Sequence, residues 1–231
     1  MNNNATKTEK IAIIGGTGKE GQGLAYRWAK AGYPVTIGSR NHEKAEAARK
    51  DVAELLGTSV KDSFTISADE NIKAVAACDI AVLTIPYEFH DKTLIDLKDA
   101  LQGKYLVDVT VPLVPPKVST ITIPPDGSLA LHTQRLLGEG VKVISAFQNI
   151  SFELLIKDDP IHCDVLVCGA DKESRELGIR LVNDAGLTGW DAGPLENSII
   201  SEGLTSVLIR INKQHGTHSA GIKITGIPTE K

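Results

Sequence analysis

An apolar run that is followed at once by a glycine-rich turn constrains the fold of this chain more than any other feature. Residues 11–14 read Ile-Ala-Ile-Ile, which is typical of a buried strand. Residues 15–23 read Gly-Gly-Thr-Gly-Lys-Glu-Gly-Gln-Gly, and residues 24–32 carry apolar side chains at helical spacing. A strand, a glycine turn and a helix in this order allow backbone N–H groups to approach a pyrophosphate at a helix N-terminus.

The second predicted strand, residues 35–37, ends in a segment that favours a phosphate pocket. Gly38, Ser39 and Arg40 follow it, and residues 36–42 contain no acidic side chain. NAD-binding units of this type usually carry an acidic residue here, which binds the ribose 2′-hydroxyl. The Arg40 guanidinium, with Lys44 one helical turn later, instead favours the 2′-phosphate of NADP. The alternative is that both are ordinary surface cations.

Strands and helices alternate along the chain. We predict strands at 11–14, 35–37, 64–66, 79–85, 105–109, 141–144, 164–168 and 187–191, with a strand-like tail at 221–225. We predict helices at 24–32, 42–56, 72–77, 93–101, 129–137, 172–183 and 195–214. This order favours an α/β fold with a Rossmann-type, doubly wound and mostly parallel sheet. We expect a disordered lead-in at 1–9, an NADP-binding domain at 10–150 and a smaller C-terminal lobe at 151–231, whose long helix completes a second-substrate pocket.

Composition excludes several classes of protein. The 231 residues carry a formal net charge of −4, so no basic field attracts nucleic acid. No apolar run approaches the roughly 20 residues of a membrane span. The three cysteines, Cys78, Cys163 and Cys168, form no Cys-x-x-Cys motif and favour reduced thiols in a cytoplasmic protein. The irregularly spaced Asp, His and Cys of residues 158–164 fit no zinc pattern, and no metal is expected.

Three predicted strand ends should meet at one edge of the sheet. They are residues 84–87, 110–113 and 145–149, and ligands bind beyond the carboxyl ends of parallel strands. No ionisable residue occurs between Ile144 and Phe152 or between Val109 and Pro116. Such a lining suits flat rings and amide hydrogen bonds, but it lacks the general base that alcohol oxidation requires. It favours direct hydride transfer between two ring systems, with no catalytic side chain.

Two alternatives remain open at this point. A reductase of another flat acceptor, such as a flavin or a pterin, would show the same pattern. A non-catalytic NADPH-sensing module would also bind the dinucleotide, but it would need no second ring-sized cavity beside the nicotinamide.

Several motifs taken together resemble the NADPH-dependent reductases of coenzyme F420. The resemblance rests on residues 15–18, 21–25, 37–40, 79–86, 167–169, 191–197 and 220–223, and it runs over nearly the whole chain. It implies hydride exchange between C4 of the nicotinamide of NADP(H) and C5 of the deazaflavin of coenzyme F420. It also implies small-molecule co-substrates and a homodimer or higher homo-oligomer.

The resemblance also assigns site residues. Thr17, Ser39, Arg40 and Lys44 would bind the adenosine phosphate. The pyrophosphate is expected on Gly18, Lys19, Glu20 and Gly21, and Gly16 is a further expected cofactor-binding residue. The nicotinamide is expected near Ile85, Pro86, Tyr87, Leu113, Ser151 and Phe152. Gln148 stands where family members often carry histidine, and its amide can hydrogen-bond a ring carbonyl without titrating near neutral pH.

Overall fold

The computed structural model describes residues 7–57 and 66–227, which form one eight-stranded sheet with helices packed on both faces. The strands are β1 (Ile11–Ile14), β2 (Val35–Ser39), β3 (Ile66–Glu70), β4 (Ile80–Leu83), β5 (Tyr105–Asp108), β6 (Lys142–Ser145), β7 (Asp164–Gly169) and β8 (Thr188–Gly193). The helices are α1 (Lys19–Lys30), α2 (His42–Leu55), α3 (Asn71–Ala76), α4 (His90–Leu101), α5 (Leu129–Leu137), α6 (Phe152–Leu155), α7 (Lys172–Asp184) and α8 (Ser198–His215).

The strand order places a crevice near the middle of the sheet. The order is β3-β2-β1-β4-β5-β6-β7-β8, and within the described residues every neighbouring pair is parallel except β6 with β7. The chain therefore moves outward from β1 to β3 and returns to lay β4 on the other side of β1. Ligands of doubly wound sheets bind at such a reversal, outside the carboxyl ends of the strands. The predicted fold class is confirmed.

The sheet is buried on both faces, which explains the unbroken apolar sequence of β1. Ile11 and Ile13 pack on one face, in a cluster that includes Leu24 and Trp28 of α1. Ala12 and Ile14 point to the opposite face, toward apolar side chains of α4 and α5. Alternate residues of a strand point to opposite faces, so a central parallel strand needs apolar residues at every position.

Some predicted element boundaries differ from the structure. Helix α1 begins at Lys19 rather than at 24, because Gly21 and Gly23 lie inside its first turns. Strand β3 begins at Ile66, and residues 58–65 lie outside the described residues. The predicted helix 195–214 is a short 3-10 turn at Leu195–Asn197 followed by α8. Helix α6 was not predicted, because four residues are too few to show a helical period.

The prediction of a strand-like tail at 221–225 is wrong. Residues 221–225 form no strand, although the backbone N–H of Asp164 donates to the Ile222 carbonyl at 2.9 Å. The Ile224 N–H donates to Asp164 Oδ2 at 2.7 Å. One backbone bond and one side-chain bond hold this segment beside the start of β7 without forming a ladder.

The predicted lead-in, residues 1–9, lies only partly within the described residues. Residues 1–6 are outside them. Lys7 Nζ lies 3.0 Å from Asp184 Oδ2, and a nitrogen of Arg180 lies 2.7 Å from Glu9 Oε1, so residues 7–9 contact α7. The predicted domain boundary between residues 150 and 151 stays a prediction, and β7 and β8 extend the same sheet.

Among residues 7–57 and 66–227, no helix is both long enough and apolar enough to cross a bilayer.

Candidate functional site

The glycine turn between β1 and α1 is packed so tightly that side chains would not fit. Gly15 has a φ of +71°, and a Cβ atom there would collide with the Ile85 side chain. A Cβ atom at Gly21 would lie 2.7 Å from Gly16 Cα and from Thr84 Oγ1. The first turn of α1 therefore rests directly on the turn and on the end of β4, and glycine permits both the positive φ and the close approach.

The amino end of α1 presents unsatisfied N–H groups. Its N-cap is Gly18, and no side chain within the described residues caps the helix. By contrast, Asn41, Ser128, Ser151 and Asp171 cap α2, α5, α6 and α7 with side-chain oxygens. An uncapped helix N-terminus carries free donors and a partial positive charge, which is an arrangement suited to binding an anion such as a pyrophosphate.

A cavity of about 310 Å³ opens at the carboxyl ends of β1, β2 and β4. Seven predicted site residues line it together, namely Thr17, Gly18, Ser39, Arg40, Lys44, Ile85 and Pro86. Two further lining residues, Gly15 and Thr84, belong to the predicted turn and to a predicted strand end. The others were not predicted, and they are Asn41, Asn71, Phe89 and Thr93. The lining contains the cationic side chains of Arg40 and Lys44 and no carboxylate, so the cavity suits an anionic group.

Local hydrogen bonds order the backbone around Arg40 and Lys44 at the rim of this cavity. The Asn41 N–H donates to Ser39 Oγ at 3.2 Å, and Asn41 Oδ1 accepts from the Lys44 N–H at 3.0 Å. The Arg40 guanidinium lies 5.3 Å from the centroid of the Phe89 ring. Neither Arg40 nor Lys44 forms an ion pair with any residue that the structure describes. Both charges therefore remain available to a phosphate from solution.

Asn71 is a positioning residue that the sequence reasoning missed. Its Oδ1 accepts from the Gly15 N–H at 3.3 Å, and a Cβ atom at Gly38 would lie 2.7 Å from the same oxygen. It also lines a neighbouring cavity of about 370 Å³ beside Ile72, whose exposed apolar surface suits a flat base. Asn71 directly follows the observed strand β3, but the predicted strand ended at residue 66, and the contact of Asn71 with Gly15 spans 56 residues.

Across the switch point, the ends of β5 and β6 present buried polar atoms without partners. Gln148 Nε2 donates to the Asp108 carbonyl at 2.9 Å and to Ser145 Oγ at 2.8 Å, which fixes the amide orientation. Gln148 Oε1, Asn149 Oδ1 and Thr110 Oγ1 are buried and find no partner among the described residues. A buried unsatisfied polar group costs about 1–3 kcal/mol, so these atoms fit a ligand that carries ring or carboxamide N–H groups.

Phe147 precedes Gln148 and Asn149, and its packing fixes the backbone conformation at this point. It has a φ of +72°, which is uncommon for a residue with a bulky side chain. Its buried ring meets Trp28 edge to face, with centroids 5.6 Å apart and planes at 90°. Backbone strain of this kind persists only when packing over-determines it, and it concentrates at functional sites.

Comparison with known proteins decides the family. The chain is 42% identical over 223 residues to the F420-dependent NADP reductase of Methanocaldococcus jannaschii, covering 94% of this chain and 99% of that protein. It is 38% identical over 229 residues to the enzyme of the same name from Methanothermobacter thermautotrophicus, covering 96% and 97%. The chain belongs to the F420-dependent NADP reductase family. The resemblance noted in the sequence is thereby confirmed.

Other comparisons agree with this family. The profile described as "NADP oxidoreductase coenzyme F420-dependent" matches residues 10–112. An Arthrobacter protein described as a candidate F420-dependent NADP reductase superposes with a TM-score of 0.78 at 24% identity, covering 95% of this chain and 100% of its own. A pyrroline-5-carboxylate reductase from Coxiella burnetii superposes with a TM-score of 0.58 at 15% identity, covering 91% and 72%. At these identities the two superpositions show the fold alone.

In this family member the remaining predicted residues are dispersed. Tyr87 lines a separate cavity of about 390 Å³, together with Asp91, Pro124 and His132. Leu113 is half-buried and lines neither this cavity nor the one that holds Arg40. The other predicted residues adjoin the turn or α6: Gly16, Lys19, Glu20 and Gly21 lie at the start of α1, Ser151 caps α6, and Phe152 begins it. The roles assigned to all of these residues stay predictions.

The reductase also contains a buried ionic group that the sequence reasoning missed. His90 Nε2 lies 3.0 Å from Asp108 Oδ2, and Thr133 Oγ1 donates to the same oxygen at 2.7 Å. Burial alone would lower the pKa of His90, but hydrogen bonds and charge from Asp108 and Asp91 outweigh it and raise the pKa to about 9. Asp108 also accepts from the Thr110 N–H at 3.0 Å, so this pair supports the end of β5.

Within the part of the chain that the structure describes, no three His, Cys, Asp or Glu side chains are grouped to hold a metal ion.

Proposed function

We propose that this protein transfers a hydride between NADP(H) and coenzyme F420. The observation that carries the proposal is the 42% identity to the Methanocaldococcus jannaschii F420-dependent NADP reductase over nearly the full length of both chains. Hydride transfer between two ring cofactors needs positioning and exclusion of water, which a protein supplies without its own catalytic acid or base.

The cavity that holds Arg40 and Lys44 supports the assignment of NADP rather than NAD. Its two cations lack ion-pair partners within the described residues, and Ser39 and Asn41 bring polar atoms to the same rim. A 2′-phosphate would accept charge-assisted hydrogen bonds from Arg40, while the uncapped start of α1 would bind the pyrophosphate. The nicotinamide would then extend toward the ends of β4, β5 and β6.

The strand ends at β5 and β6 support binding of the two reacting rings. When bound, NADP(H) and coenzyme F420 supply the hydride donor and acceptor carbons. Gln148, Asn149 and Thr110 would bind ring amides through their unpartnered atoms. The buried ring of Phe147 would help to exclude water beneath them. Positioning of this kind contributes most when the reacting atoms are already aligned in the complex.

A panel of acceptors tests the proposal. The protein would be mixed with NADPH and, separately, with oxidised coenzyme F420, FMN or an oxidised pterin, while the nicotinamide absorbance is recorded. We expect turnover with coenzyme F420 and none with the other two acceptors. Turnover with FMN or the pterin alone would favour a reductase of another flat acceptor. Tight NADPH binding without any turnover would favour the sensing module.

We also propose that the protein is a cytoplasmic homodimer. Ile200, Val207 and Ile211 are exposed on one face of α8, and Ile121 packs against Gly203 on the same helix. Exposed apolar side chains grouped in this way suit a subunit interface, and a second copy of the chain brings an identical face. The three cysteines are unpaired, which suits a reducing compartment.

A further inference from the structure

Glu20 is expected near the pyrophosphate, but no role has yet been given to its buried carboxyl group. Its side chain is half-buried as a whole, but its Oε1 atom is shielded from solvent and has no hydrogen-bond partner among residues 7–57 and 66–227. Glu20 is the second residue of α1, immediately after the uncapped turn. An ionised carboxylate in such a place would lose its hydration without gaining a partner.

The helical period places this carboxyl on the side of α1 that faces the end of β6. Glu20, Leu24 and Trp28 are spaced four residues apart and therefore share a face. Leu24 and Trp28 belong to the apolar cluster on this face of the sheet, and the Trp28 ring meets the ring of Phe147, two residues after β6, with centroids 5.6 Å apart. Side chains of a helix lean toward its N-terminus, so the Glu20 side chain leans from this cluster toward the carboxyl edge of the sheet.

The surroundings of Glu20 are apolar enough to keep it protonated near neutral pH. Burial raises the pKa of Glu20 to about 8, and no charged group contributes to this rise. Strands β1 and β2 bring no charged side chain to α1. The other elements that pack on α1 carry Lys44 and the Arg49–Glu46 pair on α2, Glu153 on α6, and Arg180 and Asp184 on α7. Lys19 Nζ lies 4.8 Å from the centroid of the Phe152 ring. None of these charges contributes to the raised pKa of Glu20.

We propose that Glu20 couples a proton to the redox state of the bound dinucleotide, with its carboxyl neutral beside NADPH and ionised beside NADP⁺. This inference rests on the proposed NADP site. The oxidised nicotinamide ring carries a positive charge and the reduced ring carries none. The phosphates are common to both forms, so their effect on Glu20 cancels when the two forms are compared.

The direction of the effect follows from linkage between protonation and binding. An adjacent cation lowers the pKa of a carboxyl by about one to three units. Binding of NADP⁺ should therefore release more protons than binding of NADPH at the same pH. The affinity for NADP⁺ relative to NADPH should rise with pH while Glu20 titrates, and it should level off once Glu20 is ionised in both complexes.

Dissociation constants for NADP⁺ and NADPH between pH 6 and pH 9, measured by titration calorimetry, test the proposal. In the wild type, we expect the ratio of the two constants to change at least about tenfold in favour of NADP⁺. Glu20→Gln should make the ratio independent of pH. Glu153→Gln removes a carboxyl from the neighbouring α6 and serves as the control, which should keep the wild-type change. A ratio that is flat in the wild type, or unchanged by Glu20→Gln, would overturn the proposal.

A second measurement needs no variant. Calorimetry of wild-type protein at pH 7.5, in two buffers with different ionisation enthalpies, reports protons released on binding. A larger release with NADP⁺ than with NADPH supports the coupling, and equal release with both contradicts it. Failure of the proposed NADP site would look different, since NADPH would then bind no better than NADH.

Discussion

Arg40 is the residue on which the choice of NADP over NAD depends. It lies at the cavity rim, without an ion-pair partner within the described residues, and beside the Phe89 ring. Arg40→Ala should weaken NADPH binding by about ten- to hundredfold, because a charge-assisted bond is worth roughly 1.5–3 kcal/mol. NADH binding should change little. Fluorescence titration of both nucleotides measures the difference.

Lys50→Ala provides the matched control for Arg40. Lys50 is an exposed cation in α2 and does not line the cavity. Its removal should leave the ratio of NADPH to NADH affinity unchanged. An equal loss of both nucleotides in Arg40→Ala would show that this side chain does not bind the 2′-phosphate.

His90 makes stability depend on pH in a defined direction. Its folded-state pKa is raised to about 9, above the ordinary value of 6.5. The ion pair with Asp108 therefore contributes its full stability below pH 6.5 and loses it as the pH rises through 9. The free energy of unfolding should fall across this window by at most about 1.4 kcal/mol per pH unit.

Two measurements isolate this effect. Urea unfolding is best followed in the Glu20→Gln variant, because the Glu20 carboxyl titrates in the same range. Nuclear magnetic resonance of the His90 imidazole reports its pKa directly. An imidazole that titrates near its ordinary pKa, with stability flat between these pH values, would contradict the buried ion pair.

Individual residues differ in how far sequence could identify them. Ser39 and Arg40 could be assigned because they follow a strand directly, and the missing acid at that point has chemical meaning. The contact of Asn71 with Gly15 and the bonds of Gln148 with Asp108 join residues that are 56 and 40 positions apart. No local pattern encodes such contacts. The isolated carboxyl of Glu20 was invisible for the same reason, since its burial depends on packing against distant elements.

At the scale of elements, two glycines near the turn between β1 and α1 are expected to have different roles. Gly21 is required for packing, and Gly18 is required for ligand binding. Gly21→Ala would place Cβ 2.7 Å from Gly16 Cα and should lower stability by about 1–3 kcal/mol. Gly18→Ala meets only the Gly15 carbonyl at 3.9 Å, so the fold should tolerate it. Because Gly18 lines the cavity, its methyl group should reduce NADPH affinity by about tenfold, or roughly 1.4 kcal/mol.

Thermal melting and NADPH titration of both variants measure these outcomes. Each variant serves as the control for the other, since both add one methyl group near the same turn. Wild-type NADPH affinity in Gly18→Ala would show that the pyrophosphate does not approach this part of the turn.

Apolar strands and long helices were predictable, whereas a helix of one turn and an irregular C-terminal segment were not. The order of strands and helices follows from apolar runs and helical spacing, and the parallel sheet follows from that alternation. Helix α6 has four residues, and its position depends on contact between Leu155 and Gly23 of α1. The segment at 221–225 carries a strand-like sequence, yet it forms only isolated bonds with the Asp164 region.

At the scale of the whole molecule, the exposed apolar face of α8 predicts a dimer. Val207→Glu combined with Ile211→Lys should convert the proposed homodimer to a monomer, because charges would be buried at the interface. Ile95→Lys is the control, since Ile95 is 58% exposed on α4, away from this face. Sedimentation velocity measures the outcome. A wild-type monomer at micromolar concentration would contradict the proposal.

The strand order of the sheet explains how the nicotinamide and deazaflavin rings could meet in this molecule. The switch point between β1 and β4 would place the dinucleotide, and β5 and β6 end in unpartnered polar atoms on one side of it. The central claim is that a hydride passes directly from one ring to the other.

Deuterium transfer in a single turnover tests this claim most directly. NADPH carrying deuterium at C4, in either stereochemical position, would be mixed with oxidised coenzyme F420 and the protein in ordinary water. Mass spectrometry would then locate the label. The account predicts that one of the two labelled forms delivers its deuterium to C5 of reduced coenzyme F420. Reduced coenzyme F420 without deuterium from either form would contradict it.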